Sequence, residues 1–168
     1  VFDLDIKVNR GDCLGYYGLA RDLSVLYNLP LSLESNISFP VSNYSLPIQI
    51  TTDKVRRIMA LKITALKNST SPDWLQKFIK LHGTNSVNTL VDLTNYIMFL
   101  YGLPCHAFDT KKIGSPLVWQ NNSGQYQQFN TLDGTILNLL PQNLIITSSH
   151  QVDSLSFIGG QNCAIDLS

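Results

Sequence analysis

The run "VDLTNYIMFLYGLPCHAFD", Val91 to Asp109, places a cysteine, a histidine and an aspartate within five residues, just after an apolar helical pattern that Gly102 and Pro104 end. A histidine on a rigid loop behind a helix can offer one ring nitrogen to a ligand while a neighbour fixes the other. The same histidine can equally fill a half-buried corner. Cys105 beside His106 invites a nucleophile–base reading, but adjacent side chains diverge and working pairs are normally distant in sequence. His106 and Asp109 lack further partners at a metal-ligand spacing, so no metal site is expected.

Thr94 and Asn95 sit inside the helix that leads to this loop, where both side chains compete with helical hydrogen bonds. Pointing inward together they would offer a hydroxyl and an amide to a pocket. In the plainer arrangement Thr94 bonds back to a carbonyl and Asn95 faces solvent. "FIGG", Phe157 to Gly160, sets two glycines behind an apolar strand, where they allow close approach of a ligand or simply a turn.

The elements that must position these residues are read from periodicity. "VFDLDIKV" and "VRRIMALKITAL" alternate apolar with polar residues and are expected to be strands. "CLGYYGLARDLSVLYNL" is expected to be a helix capped by Asp12. "STSPDWLQKFIKLHG" is the clearest helix, with Ser71 as cap, Pro72 in the first turn and Gly83 closing it; Trp74, Leu75, Phe78, Ile79 and Leu81 form its apolar stripe. Residues 30–50 are expected to be a loop or a divergent insertion. Short strand-like pieces follow the third helix: "PLVW", "QYQQFNTL" with an Asp133–Gly134 turn, "LIITS" and "LSFIGG". Helices early and strands late point to an α+β fold, a mixed or antiparallel sheet with flanking helices, rather than a parallel βαβ sheet.

At 168 residues the chain is long enough for one domain that needs no disulfide or metal, and its 44% hydrophobic content is that of an ordinary globular protein. No apolar run approaches the ~20 residues of a membrane span. No signal core opens the chain, and the missing initiator methionine suggests a fragment or a trimmed chain. Formal net charge is zero, yet residues 53–82 hold seven basic and two acidic residues. That is a face for an anionic partner or plain solvated surface, and not the footprint of an autonomous nucleic-acid binder. Cys13, Cys105 and Cys163 are odd in number and widely spaced, which fits buried thiols in a reducing compartment.

Several segments in order resemble the editing module, or B3/B4 domain, of the β subunit of bacterial phenylalanyl-tRNA synthetases. "NRGDCLGYYGLARDL" is similar to that family's "NRPDCLSxxGxARE", "SPDWLQKFIKLHG" to "SPxWLQxRLxxxG", and "VDLTNYIMFLYGLPCHAFD" to "VDVTNYVMxExGQPxHAFD". "TLDG" and "FIGG" resemble its "LDG" and "AGxxGG". The resemblance implies one B3/B4-type domain over residues 1–168 that hydrolyses tyrosyl-tRNA(Phe) formed in error. A hydrophobic synthetic site rejects one added hydroxyl only modestly, which is why such a second site is needed. It also implies that Thr94, Asn95, Pro104, His106, Leu155 and Ser156 contact the aminoacyl ester, with His106 the candidate for the chemistry. The implied partners are the aminoacyl end of tRNA(Phe) and the synthetase α subunit of a heterotetramer, in the cytoplasm, with no membrane or DNA. No cofactor is implied for this domain; ATP and magnesium serve the parent enzyme.

The departures fall at the pocket. Leu155 and Ser156 stand where the family has a small Ala–Gly pair, Leu103 replaces the glutamine before Pro104, and Asn85 replaces an arginine. Trp119 and Gln125 replace an arginine and a glutamate. The family's glutamate for the tyrosine hydroxyl is expected beyond Ser168. These changes imply weakened or lost editing and leave a structural, tRNA-contacting module as the alternative.

Overall fold

The computed structural model describes residues 3–32, 45–149, 151–156 and 158–165. They divide into two compact units, one drawn from residues 1–42 and 69–105, the other from 43–68 and 106–168.

The first unit is helical: α1 (Tyr16–Leu26), α2 (Asp73–Leu81) and α3 (Thr89–Tyr101), with a 3-10 turn over Gly11–Leu14. Asp12 does not cap α1, whose N-cap is Gly15 without a side-chain bond. Its carboxylate instead receives Arg10 Nε and Arg21 Nη2, each at 2.9 Å, while Arg10 Nη2 reaches Asp22 at 2.6 Å. Two nearby guanidinium groups outcompete a single backbone amide for that carboxylate. Gly15 is needed for packing, since a Cβ there would lie 2.7 Å from the Tyr101 carbonyl carbon at the end of α3.

In α2, Leu75 and Ile79 are fully buried, whereas Trp74 and Leu81, expected in the apolar stripe, are 55% and 80% exposed. The buried stripe is therefore narrower than the sequence pattern implied. Phe78, His82, Tyr96 and Phe99 form an aromatic cluster, with the His82 and Phe99 rings stacked at 4.2 Å. Helix α3 begins at Asn88, whose side chain accepts from Val91 N at 3.0 Å, and ends at Gly102, left-handed with φ +71.

The second unit carries seven strands: β1 (Ile48–Ile50), β2 (Leu117–Asn121), β3 (Gln128–Asn130), β4 (Ile136–Asn138), β5 (Leu144–Ser148), β6 (Gln151–Leu155) and β7 (Ile158–Gly159). A five-stranded sheet runs β1-β2-β5-β6-β7, parallel between β1 and β2 and antiparallel elsewhere; β3 and β4 form a separate antiparallel pair. Phe129, Leu139, Ile145 and Val152 form the core beneath them. The α+β expectation with a mixed sheet is met.

Four local expectations fail in whole or in part. Residues 3–8 of "VFDLDIKV" form no strand, and Val1 and Phe2 lie outside the described residues. Residues 55–66 form no strand either, and are mostly exposed. Alternation marks a face fit for a sheet, but a strand needs a neighbour to bond to, and neither segment has one among the described residues. Within the expected loop 30–50, residues 48–50 are β1, while 33–44 lie outside the described residues. "LSFIGG" is split: Leu155 ends β6, Ser156 takes a positive φ of 54, and β7 follows; Phe157 lies outside the described residues.

Candidate functional site

His106 follows Pro104 and Cys105, both exposed, and is itself half-buried in the strand-rich unit. Its ring packs edge-on against Phe108 at 4.5 Å and lies against Gly159. A Cβ built on Gly159 would stand 2.7 Å from His106 Cε1, 3.2 Å from Nε2 and 3.0 Å from Leu132 Cδ1. His106 Nε2 is buried and has no hydrogen-bond partner among the described residues. Burial pushes the imidazole pKa below its ordinary value, because desolvation disfavours the charged ring. At neutral pH this is an uncharged imidazole with one nitrogen unengaged, which can hold a water or a ligand atom.

Gly159 and Leu132 also line a groove of about 430 Å³, together with Thr131, Asp133 and Ile158. Asp133 accepts from the Thr131 hydroxyl and from Thr135 N at 3.1 Å, and these bonds, the Thr131 one first, hold its pKa below the usual carboxylate value. Leu155 and Ser156 line a different groove of about 420 Å³, shared with Lys54, Asn143 and Leu144. Ile158 borders both.

The corner bearing Gly159 is built by a β-bulge. Ile146 pairs with Ser154 and Thr147 with Val152, so Asp153 is the extra residue. Asp153 O accepts from Gly160 N at 2.9 Å, and Asp153 Oδ1 accepts from Gln151 Nε2 and Asn162 Nδ2 at 3.0 and 3.2 Å. Asp153 is fully buried and its Oδ2 has no partner among the described residues, and burial raises its pKa.

Thr94, Asn95 and Pro104 belong to the helical unit. Thr94 Oγ1 donates to Val91 O at 2.7 Å, the plainer of its two expected arrangements, and Asn95 is half-buried. Asp109 serves a turn, its Oδ1 accepting from Lys111 N at 2.9 Å. Cys105 is exposed, contrary to the expectation of buried thiols, while Cys13 and Cys163 are buried. Asp12, Cys13 and Asp22 come close enough together to hold a metal ion. However, Arg10 already bonds both carboxylates and the Cys13 sulfur, and its charge opposes a cation there.

Residues 54–168 match the family model described as the B3/4 domain. The chain belongs to the B3/4 domain family. Its β-bulge corner, His106 and both grooves all fall within the matched span. The chain is 35% identical over 170 residues to the phenylalanine–tRNA ligase β subunit of Carboxydothermus hydrogenoformans, covering 99% of this chain and 21% of that protein. It is 33% identical over 171 residues to the corresponding subunit of Fusobacterium nucleatum, again 99% and 21%, and 34% over 170 to that of Novosphingobium aromaticivorans, 96% and 21%. The B3/4 chain thus spans 21% of the length of these relatives. Among the described residues no helix is long and apolar enough to cross a membrane.

Two features of this B3/4 domain were not singled out from sequence. Gly159 as the seat of the His106 ring was present only as an unspecific glycine pair. The bulge at Asp153 left no signal, because an aspartate in an apolar strand pattern reads as a solvent-facing residue.

Proposed function

We propose that this B3/4 domain is the editing module of a phenylalanine–tRNA ligase β subunit, hydrolysing tyrosyl-tRNA(Phe) alongside an α subunit that charges phenylalanine. The observation that carries the reading is the buried, unengaged Nε2 of His106, whose ring lies directly behind Gly159, a residue of the groove wall. A water attacks the carbonyl carbon of the aminoacyl ester, the bond to the terminal ribose oxygen breaks, and that oxygen takes the proton, releasing tyrosine and intact tRNA. His106 contributes by holding the ester or the attacking water through Nε2, binding before proton transfer. The domain itself requires no metal or cofactor for this step.

A second reading, a tRNA-contacting module without hydrolysis, draws support from Leu155. This side chain packs against the core of the strand-rich unit at a position where the resembled family has a small residue. Deacylation of tyrosyl-tRNA by the complete two-subunit enzyme separates the two. Rapid hydrolysis that falls at least about 100-fold in His106→Ala supports editing, a loss of the order expected when a positioning contact is removed. Hydrolysis no faster than in buffer, in an enzyme that still charges phenylalanine, selects the second reading.

A further inference from the structure

Residues 55–66, "VRRIMALKITAL", keep the alternation of a strand but pair with no strand among the described residues. Met59, Leu61 and Ile63, which would share one strand face, are 87%, 67% and 57% exposed. Main-chain groups of residues 55–61 make no hydrogen bond to other described residues. An exposed apolar stripe, and main-chain groups over residues 55–61 that bond to no other described residue, are the two things that strand addition removes together.

We propose that residues 55–66 form a β-strand by pairing with a strand from the part of the same polypeptide outside residues 1–168. The matched relatives are long enough to supply it, since 170 residues make up 21% of the Carboxydothermus protein. The pairing strand presents apolar residues to Met59, Leu61 and Ile63, and carboxylates to Arg56 and Arg57, because the segment itself holds no acid. That charge disfavours pairing with a second copy, which would bring like charges together along the ladder. Phosphates of an RNA would meet Arg56 and Arg57 but leave the apolar stripe and the backbone exposed to water.

The test places a photo-crosslinking phenylalanine analogue at Met59 of the uninterrupted gene product, in the assembled enzyme with and without tRNA. Mixed isotopic labelling separates links within one chain from links between copies. The expected product joins position 59 to a peptide of the same chain outside 1–168. A link to a second copy, to another subunit, to RNA or to residues within 1–168, or no link at all, overturns the proposal. In parallel, amide hydrogen exchange over 57–63 in the unsubstituted enzyme is expected to be slowed at least about 100-fold against an unstructured peptide. Unslowed exchange there overturns it even if a crosslink forms.

Discussion

The ring of His106 occupies the space that a side chain at Gly159 would need, with Cε1 only 2.7 Å from where that Cβ would stand. The atoms in the way belong to two side chains, His106 and Leu132, rather than to backbone. Gly159→Ala is therefore expected to leave the sheet intact at a cost of about 1 kcal/mol, while pushing the imidazole off its seat. Denaturant unfolding measures the first, and the imidazole resonances in two-dimensional NMR measure the second. If the ring acts as proposed, deacylation falls about 100-fold with little change in folding. An unmoved His106 resonance would show that the glycine is a turn residue and nothing more.

The lowered pKa of His106 gives a signed pH dependence. The folded chain holds this proton more weakly than the unfolded chain, whose histidine titrates near 6.5. The unfolded state therefore binds more protons between the folded value and 6.5, and stability rises with pH across that window. This contribution is complete above about 6.5 and is lost as pH falls through the folded value. Thermal unfolding from pH 7.5 downward is expected to show a fall in Tm that His106→Gln reduces. A slope unchanged in the variant would assign the effect to another group.

Much of the fold was legible because its signals are local. Asn88 and Gly102 bracket α3 with a cap and a left-handed glycine, and the Asp133–Gly134 turn sits between β3 and β4, where φ of Gly134 is +86. What failed was nonlocal. Residues 55–66 carry a strand pattern whose realisation depends on a neighbour, and Asp12 was drawn from its cap by Arg10 and Arg21. At the site, the loop bearing His106 was visible from residue types and spacing. Its seat on Gly159 was not, because 53 positions of chain separate the two and no periodicity links them.

Asp92 anchors the start of α3 from inside the helical unit. It is fully buried and accepts from Ser71 Oγ and Ser86 Oγ, both at 2.5 Å, and from Val87 N at 3.0 Å. This explains why Ser71 does not cap α2 as its position suggested. Asp92→Ala strands three donors, and is expected to cost about 3 kcal/mol in chemical denaturation; Ser71→Ala should cost about 1 kcal/mol. The double variant should lose less than the sum, since both act on one network. Full additivity in that cycle would mean the two side chains act independently.

Asp153 has the opposite pH sign to His106. Burial raises its pKa above 3.8, with the polar side chains of Ser148 and Gln151 opposing the rise only in part. The folded state then binds this proton more tightly than the unfolded state. Its contribution is complete below about 3.8 and is lost as pH rises through the folded value, so an ionised Asp153 burdens the fold at neutral pH. Asp153→Asn keeps an oxygen for Gln151 and Asn162 and removes the charge from the buried Oδ2 position. The variant is expected to be stabilised more at pH 7.5 than at pH 4, read as a larger Tm increase at the higher pH. The bulge that seats Gly160 depends on the Asp153 carbonyl and not on its side-chain charge, so the His106 resonances should stay in place. A variant destabilised more at pH 7.5 than at pH 4 would show instead that the carboxylate is ionised and favourably held, and that its unpaired oxygen meets a positive group in the assembled protein.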